Sequence, residues 1–280
     1  MKRMMQFILF FIVSTFVFLQ VGRAQDIQPG QLQDIELLAL SKSNYQVTAG
    51  DVYTLTYNDT VEVITVDYSY RLSFPGLGAI SGEGKTYPQL KREVETIITT
   101  RYPQSGAQFT LTRASTFVVY IKGEVSRAGE RITSAIGRLS SLVAGDLTQY
   151  SSTRNITVTA INGQVKTYDL FKAQRFGDLG DDPYLRPGDV ITVNPLDRKV
   201  SVFGQVKRPG TYELMPGENL RELIQNFANG YSSRGDPGRV ELTRYIENND
   251  GVAETIYLTR EEINADYPLQ DSDAVYIPLK

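Results

Sequence analysis

The chain has 280 residues, with 29 Lys and Arg against 32 Asp and Glu and a net charge of −3. It contains no His, Cys or Trp. That excludes a Ser-His-Asp triad, a Cys-His dyad, an imidazole zinc site, a disulfide framework and an iron–sulfur cluster. The acidic balance speaks against a nucleic-acid partner, and the length suggests two or three small domains.

Lys2 and Arg3 lead into the apolar run Phe7–Leu19, and Gly22-Arg23-Ala24 follows. This is the order of a secretory signal peptide, with cleavage expected between Ala24 and Gln25. The run is shorter than the ~20 apolar residues of a membrane span. Cleavage removes Lys2, Arg3 and Arg23 and none of the 32 acids, so the net charge moves from −3 to −6. Residues 25–44 are polar, with Leu32, Ile35, Leu38 and Ala39 at helical spacing, and read as a linker with one short helix.

From Tyr45 the pattern is β-rich. Alternation around Gly50-Asp51, then Val61–Tyr70 and Arg71–Phe74, predicts strands. Thr86–Thr100 predicts a helix capped by Thr86, with Leu90, Val94, Ile97 and Ile98 on one face. Phe109–Arg113 returns to strand, so residues 45–115 read as one small α+β unit.

The rest of the chain is an internal repeat. Val118–Gly129, with Gly123 and Gly129, matches Val200–Gly210, with Gly204, Pro209 and Gly210. Leu139–Gly145 corresponds to Leu220–Gly230, a short helix ending at glycine. Asn162-Gly163 predicts a type I′ hairpin, matched by Asp250-Gly251. Leu185–Val193, carrying Pro187-Gly188-Asp189, corresponds to Leu269–Ile277. Each copy reads as a strand–turn–helix–hairpin–strand unit, at 117–196 and 199–280, in which the glycines permit tight turns.

The ordered motifs Tyr45-Gln46-Val47, Gly50-Asp51-Val52, Phe74-Pro75-Gly76 and Gly84-Lys85-Thr86, followed by the two repeats, resemble the polysaccharide export protein family. The first unit is similar to the polysaccharide export (PES) domain. The repeats are similar to SLBB domains, which are β-grasp-like, and Val202–Tyr212 is the nearest match. The resemblance implies an α+β chain with a signal peptide (1–24), a linker (25–44), a PES domain (45–115) and two tandem SLBB domains (117–196, 199–280). It implies a non-enzymatic, ring-forming component for capsule or exopolysaccharide export across the periplasm and outer membrane. It also implies homo-oligomers, polysaccharide as the cargo, an inner-membrane copolymerase as partner and no cofactor. Family members that form the pore themselves carry an N-terminal lipidated cysteine and a C-terminal amphipathic helix. This sequence has no Cys and ends in the strand-like Ala274–Pro278, so a separate outer-membrane protein is expected. A monomeric periplasmic ligand- or glycan-binding protein is the alternative, and a glycan-cleaving enzyme a third class.

Four further features of the sequence bear on chemistry. Ala79–Thr86 fits a relaxed P-loop, but Ala replaces the first Gly and no Walker-B strand is evident, so a turn followed by a helix cap is preferred. Asp178, Asp181 and Asp182 could hold calcium, but lack EF-hand spacing and read as a solvated turn. The acids scatter over turns and exposed strand positions, and no pair stands out for glycoside hydrolysis. Tyr57, Tyr68 and Tyr70 are candidate glycan contacts, since a Tyr ring stacks on a sugar while its hydroxyl stays wet.

Overall fold

The computed structural model describes residues 45–245 and 252–280. The signal peptide with its Ala24/Gln25 cleavage site, the linker helix and the Asp250-Gly251 turn lie outside them.

The first unit holds β1 (Val52–Tyr57), β2 (Thr60–Thr65), β3 (Arg71–Phe74), β4 (Gly78–Ser81), α1 (Tyr87–Arg101) and β5 (Gln108–Arg113). Its antiparallel sheet has the order β2-β1-β5, with β3-β4 as a separate hairpin. Helix α1 begins where Gln89 Oε1 accepts the Thr86 N–H at 2.8 Å, with Pro88 in the first turn. Proline fits there because that position has no intrahelical donor to lose. Tyr87, Leu90, Val94 and Ile98 form the buried stripe. Ile97, expected inward, lies at the rim of that stripe and is exposed. Below the helix, Tyr53 stacks on Phe109 with ring centroids 4.7 Å apart, and Leu55, Leu72 and Leu111 fill the space around them.

The middle unit contains β6 (Thr116–Gly123), β7 (Gly129–Ser134), α2 (Leu139–Val143), β8 (Ser151–Thr159), β9 (Val165–Tyr168), α3 (Leu170–Phe176) and β10 (Val190–Pro195). The last unit contains β11 (Lys199–Gly204), β12 (Gly210–Glu213), α4 (Leu220–Glu222), β13 (Val240–Tyr245), β14 (Ala253–Leu258), α5 (Arg260–Asn264) and β15 (Ala274–Ile277). The two sheets have the orders β7-β6-β10-β8-β9 and β12-β11-β15-β13-β14, which are the same arrangement. In each, the last strand enters the centre, parallel to the first and antiparallel to the third. The register repeats too: Ile191 pairs with Ile121 and Val158, as Val275 pairs with Val202 and Leu242.

Alternation along the central strands sends one face inward. Ile121, Leu139, Ile156, Leu185, Ile191 and Val193 make the middle core, and Val200, Leu223, Leu242, Val275 and Ile277 lie in the last one. Each such side chain contributes roughly 1.5–3 kcal/mol when fully buried. The second helix of each copy, α3 or α5, was not evident in the sequence. In the last unit α4 continues as a π-helical turn over Leu223–Phe227, so the expected helix is wider than a simple α turn there.

One turn differs from expectation. The Asn162-Gly163 hairpin exists, but only Gly163 has positive φ (82°). A type I′ turn requires positive φ at both central residues. The Gly163 N–H instead closes on Ala160 O at 2.8 Å, and the Ala160 N–H donates to Gln164 O at 2.9 Å. This is a three-residue connection ending in a left-handed glycine. Asn162 Oδ1 accepts the Gln164 N–H, which holds Asn162 at negative φ.

Candidate functional site

The repeated glycines are required by close backbone approach. Gly123 has φ 93°, and a Cβ on it would lie 2.2 Å from Val193 O. Gly204 has φ 81°, and its Cβ would lie 2.3 Å from Ile277 O. In both copies the next N–H donates to that same carbonyl at 2.8 Å, Glu124 to Val193 and Gln205 to Ile277. The first strand is thereby clamped to the end of the last. Gly129 and Gly210 then start the returning strands, with Pro209 just before Gly210.

A second device occurs three times, once per unit. In Thr48–Asp51, Arg186–Asp189 and Gln270–Asp273 the fourth residue's N–H donates to the first residue's carbonyl. Its carboxylate accepts the first residue's N–H, at 2.8, 2.7 and 2.7 Å respectively. The third residue has positive φ: Gly50 at 90°, Gly188 at 80° and Ser272 at 64°. Asp51, Asp189 and Asp273 are all buried. The sequence predicts acids on turns and exposed positions. The turns are there, but these carboxylates face inward because they satisfy the backbone that starts the next strand.

Two junctions join the units. At the first, Asp51 accepts from Tyr45 OH (2.7 Å), Tyr53 OH (3.3 Å) and the Ser115 N–H (2.9 Å) at the entry to β6. Burial raises the Asp51 pKa above the usual carboxylate range, although these donors oppose the shift. Arg186 of the middle unit donates through Nη1 to Gln46 O (3.1 Å) and Thr48 Oγ1 (2.7 Å). Two overlapping cavities of about 380 and 340 Å³ open here, sharing Gln46, Ala160, Arg186 and Asp189 as lining. At the second junction, buried Arg154 binds Asp169 of its own unit and Glu218 of the last. Its guanidinium carbon also lies 5.4 Å from the Phe171 ring centroid and 4.9 Å from that of Phe227. These two rings stack on each other across the junction at 4.9 Å.

The other candidates separate. Lys85 pairs with Glu93 on α1, and the Lys85 N–H closes a turn onto Gly82 O at 3.1 Å, with Gly84 at φ 69°. Gly84-Lys85-Thr86 is thus a turn that leads into a helix cap. Asp178 accepts the Gly180 N–H, Asp181 the Asp169 N–H, and Asp182 both N–H and Oγ–H of Ser140. Asp182 is buried, so the expected solvated turn is wrong for that residue. Tyr57 stacks on Tyr102 at 5.5 Å and donates to Glu62 at 3.0 Å. Tyr68 is 97% exposed. Tyr70 lines the first-junction cavity and holds φ 56°, a strained value for a bulky residue. The three tyrosines thus have three different surroundings. Sequence reasoning missed the arginines that organise the junctions, Arg154 and Arg186. Their only signal was the repeat itself, which marks where units must meet.

These features define a chain of small sheet units, two of them with the same strand order, joined through the arginines Arg154 and Arg186. The SLBB domain family model matches residues 199–256, from the start of β11 into β14. SLBB domains occur in polysaccharide export proteins.

Proposed function

We propose that this protein is a non-enzymatic component of a bacterial polysaccharide export machine for capsule or exopolysaccharide. It acts in the periplasm, associated with the outer membrane, as a ring-forming translocon or collar. One observation carries this reading: the unit matched as an SLBB domain is preceded by a second unit with the same strand order and register. We assign 117–196 as a further SLBB domain on that basis, and 45–115 as a PES domain on the motifs Gly50-Asp51 and Gly84-Lys85-Thr86.

The mechanism is geometric. Units fixed to one another by Arg154 and Asp51 present constant surfaces, and copies of the chain set side by side enclose a hydrated passage. The cargo is polysaccharide. An inner-membrane copolymerase feeds it, and a separate outer-membrane protein receives it. No chemical step is needed from this chain. Asp51, Asp146, Asp169, Asp182 and Asp273 all accept structural hydrogen bonds, consistent with a scaffold role.

Light scattering on the purified chain, with a reducing-end assay on added polysaccharide, tests this reading. A closed oligomer of defined mass that releases no new reducing ends is expected. A monomer at every concentration, or steady release of reducing ends, would contradict it.

A further inference from the structure

The two copies differ at one position in a way that opens a cavity. In the last unit Asp273 is closed off: Arg244 Nε donates to Oδ1 at 2.9 Å and Nη2 to Oδ2 at 2.7 Å. The strand register gives the equivalent of each. Val190 pairs with Thr159 as Ala274 pairs with Thr243, so Asp189 corresponds to Asp273 and Ala160 to Arg244. Where the last unit has a guanidinium, the middle unit has a methyl group. Space therefore remains above Asp189, and Ala160 and Asp189 both line the two cavities of the first junction.

The groups left around that space are unusual. Asp189 is only 4% exposed. Its Oδ2 accepts the Arg186 N–H, and Oδ1 has no hydrogen-bond partner among the described residues. Arg186 uses Nη1 for the first unit, while its Nε and Nη2 have no acceptor among the described residues. A carboxylate oxygen and two guanidinium nitrogens thus open onto one cavity without a protein partner among the described residues. Donor and acceptor atoms facing one cavity fit a ligand that donates to the carboxylate and accepts from the guanidinium. Tyr168 and Tyr184 line the same space, and the strained Tyr70 stands at its edge. Strain of this kind is concentrated at binding sites.

We propose that this cleft binds a neutral, hydroxyl-rich saccharide unit. A vicinal pair of hydroxyls can donate to Asp189 Oδ1 and accept from Arg186, while a pyranose face rests on a tyrosine ring. Lys166 and Glu83 at the mouth add one charge of each sign, as Arg186 and Asp189 do inside, so the site has no net preference for an anionic polymer. The inference rests on reading the chain as a glycan-handling protein, and it gives that protein a defined contact with its cargo.

The test uses NMR titration of the purified chain with maltotetraose and, separately, cellotetraose. Wild type is expected to bind at least one, with chemical-shift changes at Ala160, Arg186 and Asp189. Ala160→Arg, which copies the Arg244–Asp273 pair, and Ala160→Leu, which fills the space without charge, should each weaken binding about ten-fold or more while the thermal midpoint is retained. Unchanged affinity in a folded variant, or no binding of either sugar by wild type, overturns the site. Either failure leaves the export reading intact, because that reading is decided separately by oligomer mass and surface glycan.

Discussion

Arg154 on β8 donates through Nη2 to Glu218 Oε1 at 2.7 Å and, on its own unit, to Asp169 Oδ2 at 2.8 Å. The Arg154 side chain is 3% exposed, Asp169 10% and Glu218 21%. Both carboxylates thus depend on one guanidinium that joins two units. Removing one partner of such a cluster leaves uncompensated buried charge. Arg154→Met should destabilise the chain by about 3–5 kcal/mol. A double-mutant cycle with Glu218→Gln, followed by urea unfolding, should return a coupling of about 1–3 kcal/mol. Additive effects would show that the pair is not a junction.

Gly123→Ala and Gly204→Ala should be among the most damaging small substitutions. Each puts a Cβ within 2.3 Å of a backbone carbonyl oxygen and forces an L side chain to positive φ. Left-handed backbone costs about 1–2 kcal/mol and overpacking about 1–3 kcal/mol more. Calorimetry should show a lower midpoint for both. The loss at Gly204 should be at least as large as that at Gly123, since its Cβ would also lie 2.7 Å from the Tyr276 ring.

The three Asp turns allow a matched comparison. Gly188→Ser should cost about 1–2 kcal/mol, because φ is 80° and a Cβ there would lie 3.1 Å from Ile161 Cδ1. Ser272→Gly relieves the same backbone strain at φ 64° and should be neutral or stabilising by up to about 1 kcal/mol. Opposite signs, read from chemical denaturation, check that one turn is built three times.

Burial raises the pKa of Asp189 above the usual carboxylate range. A raised acid contributes most stability when protonated in both states, below about pH 4, and loses it as pH rises through the folded value. Asp189→Asn keeps an acceptor for the Arg186 N–H without the buried charge. The variant should therefore melt above wild type at pH 7, and the difference should vanish below about pH 4. A variant that melts lower at pH 7 would mean that Arg186 more than offsets the burial.

The repeat was legible because glycine marks the positions where only glycine fits: Gly123 and Gly204 recur at the same step of two sheets. Helix α1 was legible from Leu90, Val94 and Ile98 at helical spacing. The turn at Asn162-Gly163 was misread because the sequence pair is compatible with two turn types, and the Asn162 side-chain hydrogen bond selects between them. The junctions were not legible at all. Arg154, Glu218 and Asp169 are far apart in sequence, and a charged residue gives no local sign of being buried. Likewise, Ala160 acquires meaning only once strand register sets it opposite Arg244 in the other copy.

We propose that this chain carries polysaccharide outward without altering it. Deletion of the gene, with quantification of glycan at the cell surface and inside the envelope, tests it most directly. The account predicts that surface glycan is lost, and that the wild-type gene restores it. Undiminished surface glycan in the deletion strain would contradict it.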